Sequence, residues 1–382
     1  MNIGIDARFA IHNRRGIGNY TLNLLCHLAE LDKENLYFLY IDKEDEENVL
    51  PTQPNFIIRN LMQRNYFLWE QLYFPIAAKK DKVDIIHCTG NTSPITHILP
   101  KKTKIITTLH DVMFLKGKSV IPTPNSRYQK MGRIYRKFVV NRMMKYVELI
   151  ITVSTFSKND ILRHFPWYDN KKIQVIYEAA NDCFKDDVRL DEFSDIPNKM
   201  NGDNYILTLG ADDHRKNTRL VIEKYIEAIK DGRIDCNLVI VGMPNWRNSE
   251  MYSIVEKTEF ANKIIFMDFI NETELVYLYK NATMFLYPSL YEGFGIPPLE
   301  SMACGTPVIT SNTTSIPEIV EDAALTINPS SGEELKQGII ELFNNEMLRK
   351  ELSVKGLQRV QKFSWRNMAF NTLEVYKSLM EK

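Results

Sequence analysis

Residues 282–307 read ATMFLYPSLYEGFGIPPLESMACGTP, and this stretch predicts a strand, a glycine turn and a helix in succession. The apolar run that ends at Tyr287 is typical of a buried strand, and the glycines at 293 and 295 favour a tight turn. The prolines at 297 and 298 favour the first turn of a helix. This geometry aims unpaired backbone N–H groups and the positive end of the helix dipole at an anion, typically a phosphate.

Two glutamates in the same stretch, Glu292 and Glu300, indicate a second kind of ligand group. A carboxylate on the first turns of such a helix repels phosphate, but it accepts hydrogen bonds from the hydroxyl groups of a ribose or a sugar. A site that takes phosphate and hydroxyls together is typical of proteins that bind a nucleotide sugar.

The composition predicts a globular protein of two domains. The chain has 382 residues, 44% of them hydrophobic and 25% charged, and no apolar run is long enough to cross a membrane. The N-terminus MNIGIDARFA predicts a first strand rather than a cleavable signal. Five scattered cysteines without a CxxC pair or a Cys/His ligand spacing speak against disulfides and a zinc site, so we expect a cytoplasmic protein.

The formal net charge of zero conceals an unequal distribution along the chain. Residues 1–182 hold 26 Lys and Arg against 18 Asp and Glu, a balance of +8. Residues 183–382 therefore hold the remaining 22 of 48 against 30 of 48, a balance of −8. A basic half and an acidic half suggest different partners for the two halves, or two domains with complementary faces.

Short apolar runs alternate with amphipathic stretches through both halves, which predicts an α/β protein with doubly wound, mostly parallel sheets. The predicted strands span residues 2–6, 37–41, 56–59, 84–88, 104–109, 149–153, 172–176, 205–209, 237–241, 263–267, 283–287, 307–310 and 323–326. The polar segment 185–203 predicts a linker. We therefore expect an N-terminal domain (1–184), a C-terminal domain (204–363), a final helix (364–382) that crosses back to the N-terminal domain, and a ligand cleft between the two sheets.

The first strand of the C-terminal domain is followed by GADDHRKN at 210–217, which places Arg215 and Lys216 at a strand end. Two cations beside the anion site favour neutralisation of a diphosphate leaving group without a metal. The alternative is a solvated basic pair on a loop.

Two further motifs follow strand ends in the N-terminal half. RRGIGNYT at 14–21 places Gly16 and Gly18 at the start of a helix. It lacks the third glycine of a dinucleotide fingerprint, so it favours close approach of a ligand to the backbone, or a packing turn, over NAD binding. His110 and Asp111 follow KIITTL at 104–109. We expect His110 to donate a hydrogen bond to a sugar hydroxyl or to the backbone, and Asp111 to orient an acceptor hydroxyl.

Residues 125–148, NSRYQKMGRIYRKFVVNRMMKYVE, hold seven basic residues and one acidic residue. Apolar residues recur near helical spacing beside a basic stripe, and a helix of this kind can lie on an anionic membrane, here at its inner face. The alternative is a core helix with a solvated basic side. We expect no nucleic-acid partner, because no recognition module accompanies this segment.

Together these motifs resemble the retaining glycosyltransferases of family 4, whose GT-B fold consists of two Rossmann-like domains. The resemblance covers nearly the full length and rests on RGIGNYT at 15–21, LHD at 109–111, VSTFSK at 153–158, GADDHRKN at 210–217 and EGFGIPPLE at 292–300. The opening GIDAR resembles the branch of bacterial mannosyl- and rhamnosyltransferases of polysaccharide assembly. The resemblance implies transfer of a hexosyl unit, with mannosyl from GDP-mannose as the first choice, from a nucleotide-diphosphate sugar to a saccharide or lipid-linked saccharide, without a cofactor or a divalent metal.

The resemblance also implies a role for each matched residue. Glu300 would hold the ribose hydroxyls, Glu292 would lie near the donor sugar, and His110 would lie near its primary hydroxyl. The groups that would meet the diphosphate, the sugar or the acceptor are the side chains of Arg215 and Lys216, the backbone N–H groups of Gly293, Phe294, Gly295 and Ile296, and the backbone at Gly16. Many members carry an arginine where Ala211 stands, so either Arg215 takes that role or one cation fewer meets the leaving group.

Several alternatives stay open at this point. Retention can arise from front-face attack, in which the leaving phosphate accepts the acceptor's proton, or from a covalent intermediate on a carboxylate. A sugar-nucleotide epimerase of the same fold would need no acceptor, and a non-catalytic binding protein would tolerate loss of Glu292 or Lys216. A phosphorylase is disfavoured because no pyridoxal-binding lysine segment is found, and a dehydrogenase by the incomplete glycine fingerprint.

Overall fold

The computed structural model describes residues 1–12, 16–117, 127–185, 196 and 204–381, without the side chains of residues 127–129. The chain divides into two units, Met1–Glu178 with Ser364–Lys382, and Ala179–Phe363. The predicted linker, 185–203, lies outside the described residues except at positions 185 and 196. Among the described residues, no helix combines the length and the apolar character needed to cross a membrane.

Seven strands form the parallel sheet of the first unit, in the order β3-β2-β1-β4-β5-β6-β7. They are β1 (Asn2–Asp6), β2 (Leu36–Ile41), β3 (Phe56–Asn60), β4 (Ile85–Cys88), β5 (Lys104–Thr108), β6 (Leu149–Thr152) and β7 (Ile173–Val175). The apolar strands β2, β4 and β6 are buried along nearly their whole length, as expected in a parallel sheet. The chain order reverses between β1 and β4, and open α/β sheets bind ligands at such a switch point.

The helices of the first unit include the last helix of the chain. They are Arg8–Ile11, Gly16–Leu31, Tyr66–Leu68, Phe74–Lys80, Arg127–Met143, Thr155–His164 and Trp365–Met380, with a π-helical turn at Trp69–Tyr73. Trp365–Met380 packs against Gly16–Leu31. Because the Tyr376 hydroxyl lies 2.6 Å from Nδ1 of His87 in β4, the end of the chain is also bonded to the centre of this sheet.

Six strands form the parallel sheet of the second unit, in the order β10-β9-β8-β11-β12-β13. They are β8 (Tyr205–Leu209), β9 (Asn237–Val241), β10 (Ile264–Met267), β11 (Met284–Tyr287), β12 (Val308–Ser311) and β13 (Leu325–Ile327). The helices of this unit are Thr218–Lys230, Glu250–Val255, Glu272–Asn281, Ile296–Ala303, Ile316–Val320, Gly332–Asn344 and Glu346–Val360. The prediction of two doubly wound parallel sheets is therefore confirmed, and every predicted strand occurs in the structure.

Strands β8 and β11 flank the switch point of the second sheet. Their register pairs Leu286 with Thr208, so both strands end at the same edge. The loop after β8 carries residues 210–217, and the loop after β11 carries residues 288–295. These are the two segments in which the sequence predicts the anion and sugar contacts.

Candidate functional site

A hydrogen-bonded cluster around the Glu292 carboxylate joins these two loops. Oε1 of Glu292 lies 2.8 Å from Lys216 Nζ and 2.8 Å from the Tyr287 hydroxyl. The Ser289 hydroxyl donates to the same oxygen at 2.6 Å. The main chains are also connected, because the N–H of Leu290 donates to the carbonyl of Arg215 at 2.7 Å. The predicted cation loop and the predicted glutamate segment therefore form one local structure.

The charge state of Glu292 follows from this cluster. Its side chain is only 13% exposed, and burial alone would raise its pKa. The positive charges of Lys216 and Arg215, with hydrogen bonds from Lys216 and Ser289, outweigh burial and lower the pKa of Glu292. The pKa of Tyr287 is raised by burial and by the charge of Glu292, so the phenol stays protonated and donates. Glu292 is thus an ionised, oriented carboxylate.

Arg215 is oriented by a carboxylate of its own loop. Its Nε and Nη2 lie 3.0 Å and 2.5 Å from Oδ2 of Asp213, and its main-chain N–H donates to Oδ1 at 3.1 Å. Burial would raise the pKa of Asp213, but the hydrogen bonds and charge of Arg215 lower it. The turn ends at Asn217 in the left-handed region, with φ of 61°, where asparagine is tolerated. The guanidinium is therefore held at the edge of the sheet by an ion pair that an incoming anion would share.

The glycine turn after Glu292 has a steric requirement. Gly295 has φ of +113°, and a Cβ on it would lie 2.5 Å from Cδ1 of Ile316. The Ser315 hydroxyl fixes the turn, because it lies 3.0 Å from the carbonyl of Glu292 and 2.7 Å from that of Phe294. The helix Ile296–Ala303 starts directly after the turn, and no side chain in the described ranges caps it. Since the prolines at 297 and 298 carry no N–H, Gly295 and Ile296 supply the donors nearest the helix start.

Glu300 lies on this helix in a different electrostatic environment. Burial raises its pKa to about 7, and the charge of Glu272 adds to the rise. The Tyr279 hydroxyl, 3.3 Å from Oε2, donates a hydrogen bond that opposes this rise. A carboxyl group with a pKa near 7 is partly protonated at neutral pH. Hydroxyl donors from a ligand would favour its ionised form.

His110 lies in the first unit, two residues after β5. Its Nδ1 is 3.1 Å from Oε1 of Glu178, and its Nε2 is 3.0 Å from the carbonyl of Thr89. The ring of Tyr20 packs edge to face on the imidazole, with centroids 4.8 Å apart. Burial would lower the pKa of His110, but the hydrogen bond and charge of Glu178 outweigh burial and raise it. The donor predicted for a sugar hydroxyl is thus already bonded at both ring nitrogens within its own unit.

The remaining predicted residues of the first unit differ in their surroundings. Oδ1 of Asp111 accepts a hydrogen bond from the N–H of Met113 at 2.8 Å. Gly16 is the first residue of its helix and is exposed, and a Cβ on it would meet none of the described residues within 4 Å. Gly18 is buried.

Sequence reasoning missed several residues that hold the predicted ones. These residues are Tyr287, Ser289 and Ser315 around Glu292, and Thr89 and Glu178 around His110. Tyr287 ends β11 and Glu178 closely follows β7, so a search of every strand end would have included both. In the described part of the chain, His, Cys, Asp and Glu side chains nowhere form a group of three or more that could hold a metal ion.

Comparison with known proteins agrees with this arrangement. Residues 14–182 match the family described as Glycosyltransferase Family 4, and residues 191–359 match the family described as Glycosyl transferases group 1. O-antigen chain mannosyltransferase B of Escherichia coli is 28% identical over 381 residues, which cover 95% of this chain and 96% of that protein. O-antigen chain mannosyltransferase RfbU of Salmonella typhimurium is 31% identical over 265 residues, which cover 65% of this chain and 69% of that protein.

The fold is also found among solved structures. Anabaena HepE in complex with UDP-glucose superposes with a TM-score of 0.70 at 13% identity, covering 99% of this chain and 100% of that one. This likeness shows the fold, and the matched families confirm the resemblance recognised from the motifs. The chain is a glycosyltransferase of the GT-B fold and belongs to glycosyltransferase family 4.

Proposed function

We propose that this glycosyltransferase moves a mannosyl unit from a nucleotide-diphosphate mannose, with GDP-mannose as the first choice, to a saccharide or lipid-linked saccharide in cell-surface polysaccharide synthesis. The observation that carries the proposal is the Lys216–Glu292 ion pair beside the glycine turn and the uncapped start of the helix Ile296–Ala303. The choice of mannose is supported by the relatives, because both compared sequences bear the name O-antigen chain mannosyltransferase.

The donor is proposed to bind to the second unit. The diphosphate meets the Arg215 and Lys216 cations and the N–H groups of Gly295 and Ile296, and Glu300 accepts hydrogen bonds from the ribose hydroxyls. Gly293 and Phe294 present backbone groups to the sugar. HepE, which shares the fold, is seen with UDP-glucose. The same class of ligand is proposed here.

The proposed transfer retains the anomeric configuration. The bond between the anomeric carbon and the diphosphate oxygen breaks, and the acceptor hydroxyl oxygen bonds to the same face of that carbon. The acceptor's proton passes to the leaving phosphate, so the nucleoside diphosphate leaves in its protonated form. Negative charge grows on the diphosphate, where Arg215 and Lys216 stabilise it without a divalent metal. The ionised Glu292 stabilises or positions the sugar as positive charge grows on its anomeric carbon. By resemblance to the family, His110 is proposed as a donor to the primary hydroxyl of that sugar.

A donor panel followed by product analysis tests this function. Thermal shift with GDP-, UDP-, ADP- and dTDP-sugars, each with and without EDTA, is expected to single out GDP-mannose. NMR of the product formed with a mannose-terminated acceptor is then expected to show the donor's anomeric configuration. Conversion of the donor to an epimer without acceptor would instead support the epimerase. Binding without any turnover would support a non-catalytic protein, and an inverted product would contradict retention.

Peripheral contact with an anionic membrane is proposed for the face that carries helix Arg127–Met143. Met131, Ile134 and Phe138 on this helix are 70%, 69% and 51% exposed. The aromatic Phe67 on the neighbouring helix is 51% exposed and contacts Tyr135 of this helix, with ring centroids 5.8 Å apart. Exposed apolar side chains from two segments thus lie on this face, and exposed apolar patches can mark interaction sites.

Basic side chains accompany this apolar surface. A hollow of about 440 Å³ is lined by Ile134, Lys137, Phe138, Asn141, Arg142 and Lys145. The combination of exposed apolar side chains with three cations fits the headgroup region of an anionic bilayer. The predicted helix starts at residue 125, and its first two residues lie outside the described part of the chain.

Vesicle flotation tests the membrane proposal. Replacing Lys137, Arg142 and Lys145 together by Gln is expected to weaken partition onto phosphatidylglycerol vesicles by about 100-fold, since each cation contributes about 1 kcal/mol near such a surface. A control with Lys230, Lys257 and Lys350 of the second unit replaced by Gln carries the same charge change and is expected to bind as the parent does. Equal loss in both triple variants, or no binding by the parent protein, would contradict a specific face.

A further inference from the structure

We propose that Glu178 is a positioning residue that keeps His110 protonated at both ring nitrogens, so that His110 acts as a fixed donor and never as a general base. The part of this inference that concerns catalysis rests on the proposed contact of His110 with the transferred sugar. The ion pair itself stands on geometry within the first unit.

The imidazole of His110 has two hydrogen-bond partners, and both of them are acceptors. Nδ1 of His110 lies 3.1 Å from a carboxylate oxygen of Glu178, and Nε2 lies 3.0 Å from the carbonyl oxygen of Thr89. A carbonyl and a carboxylate both accept, whereas a neutral imidazole has one N–H and one lone pair. Either neutral tautomer would turn a lone pair towards an acceptor oxygen. The cation satisfies both contacts, and its charge is balanced by Glu178.

The groups that face His110 favour the same state. Asp111, next in the chain, adds negative charge, and Tyr20 stays protonated because burial raises its pKa. His87 in β4 stays neutral, since burial and then the charge of His110 lower its pKa to about 3. Glu178 and Asp111 thus surround one cation, and the raised pKa of His110 agrees with the geometry.

The backbone fixes where the ring points. Thr89 directly follows β4, His110 follows β5 and Glu178 follows β7, so three strand ends meet at the imidazole. The main-chain N–H of His110 donates to Oδ1 of Asn91 at 2.7 Å, and its carbonyl accepts from the Ser157 hydroxyl at 2.9 Å. A sugar oxygen that approaches Nε2 would share its proton with the Thr89 carbonyl, while Glu178 keeps Nδ1. His110 then donates to the sugar, and the acceptor's proton has to go elsewhere, as in the proposed transfer to the leaving phosphate.

Nitrogen NMR of the histidine rings tests the ion pair without any substrate. The parent protein is expected to show both ring nitrogens of His110 protonated at pH 7.5. Glu178→Gln keeps an acceptor oxygen but removes the charge, so the pKa of His110 is expected to fall by about one unit or more. Glu148→Gln, at a partly exposed glutamate of the same unit, is the control and is expected to leave His110 unchanged. A neutral His110 in the parent, or the same titration in Glu178→Gln, would overturn the proposal.

Kinetics separate this inference from the proposed function. With a functional His110, turnover of Glu178→Gln is expected to fall about tenfold at pH 8 and less at pH 6, because the variant loses the proton as pH rises. Glu178→Asp retains the charge and is expected to recover part of the lost turnover at pH 8. If Glu178→Gln does not fold, the pH profile of Glu178→Asp is compared with that of the parent instead. A lowered pKa in Glu178→Gln with an unchanged pH profile would refute the positioning role. A parent protein that shows a neutral His110 by NMR but still transfers the sugar would refute this inference and leave the proposed function standing.

Discussion

Lys216 and Glu292, 76 residues apart in the chain, form an ion pair of 2.8 Å between the loops that follow β8 and β11. The pair lies where two parallel strands end, and both side chains are partly buried. Removal of one partner would leave the other charge uncompensated in this partly buried place. Replacement of one partner alone is therefore expected to destabilise this edge of the sheet.

Removal of either partner is expected to abolish most of the transfer activity. Lys216→Ala and Glu292→Ala are each expected to lose at least about 100-fold in kcat, the typical effect of deleting one charged contact to the transition state. Circular dichroism would show that the fold persists. Arg219→Ala, at an exposed ion pair on the following helix, is the control and should keep parental turnover. Near-parental turnover of either pair variant would refute the role of that residue.

The Tyr287 hydroxyl is expected to matter for activity beyond its effect on stability. Tyr287→Phe removes one of the donors to Glu292, and we expect a kcat reduced by about tenfold with a stability loss of about 1 kcal/mol. The matched control is Tyr205→Phe, because the Tyr205 hydroxyl donates to the carbonyl of Leu278 at 2.8 Å, away from Glu292. Similar stability losses are expected from thermal unfolding, and only Tyr287→Phe should lose turnover. Equal kinetics would show that the hydroxyl is merely structural.

Glu300 is expected to destabilise the empty protein at alkaline pH. Its pKa is about 7 in the folded chain against an ordinary 4.5, so the folded state binds more proton between these values and stability falls as pH rises through them. Glu300→Gln removes this penalty. The variant should be more stable than the parent at pH 8, by up to about 3 kcal/mol, and gain nothing near pH 4. Thermal unfolding across pH checks this, with exposed Glu341→Gln as control, and a pH-independent difference would contradict it.

Donor affinity is expected to rise with pH through neutrality for the same reason. Glu300 has a pKa of about 7 and is half protonated at pH 7, and ribose hydroxyls favour its ionised form, so binding at pH 7 should release up to about half a proton per nucleotide. Calorimetry with GDP-mannose in two buffers of different ionisation enthalpy measures this release. The release should vanish in Glu300→Gln together with much of the affinity. Proton uptake, or a release that persists in the variant, would place the ribose elsewhere.

The secondary structure was largely predictable because its signals are local. Apolar runs alternate with amphipathic stretches, and each predicted strand occurs within two residues of its expected ends. The parallel order followed from this alternation, since parallel strands need crossover connections. The positions of Glu292, Lys216 and His110 near strand ends followed as well, because each lies in the segment that comes after an apolar run.

The bonding of these residues was not predictable, because it depends on contacts between distant segments. Nothing in the sequence near Glu292 indicates that Lys216 pairs with it or that Tyr287 and Ser289 donate to the same oxygen. The sequence predicts His110 as a donor to a sugar hydroxyl or to the backbone, but it does not indicate that Glu178 and Thr89 are its partners. The raised pKa of Glu300 likewise depends on burial in the folded chain, which no local sequence pattern indicates.

The order of residues by itself determined two doubly wound sheets, the glycine turn before a helix, and the chemical types that a nucleotide-sugar enzyme needs. Only the tertiary structure decided which charged groups are paired and which carboxyl group has a pKa near 7. The reason is physical: periodicity acts over neighbouring residues, whereas desolvation and Coulomb interaction depend on which strand ends the sheet brings within a few ångströms of one another.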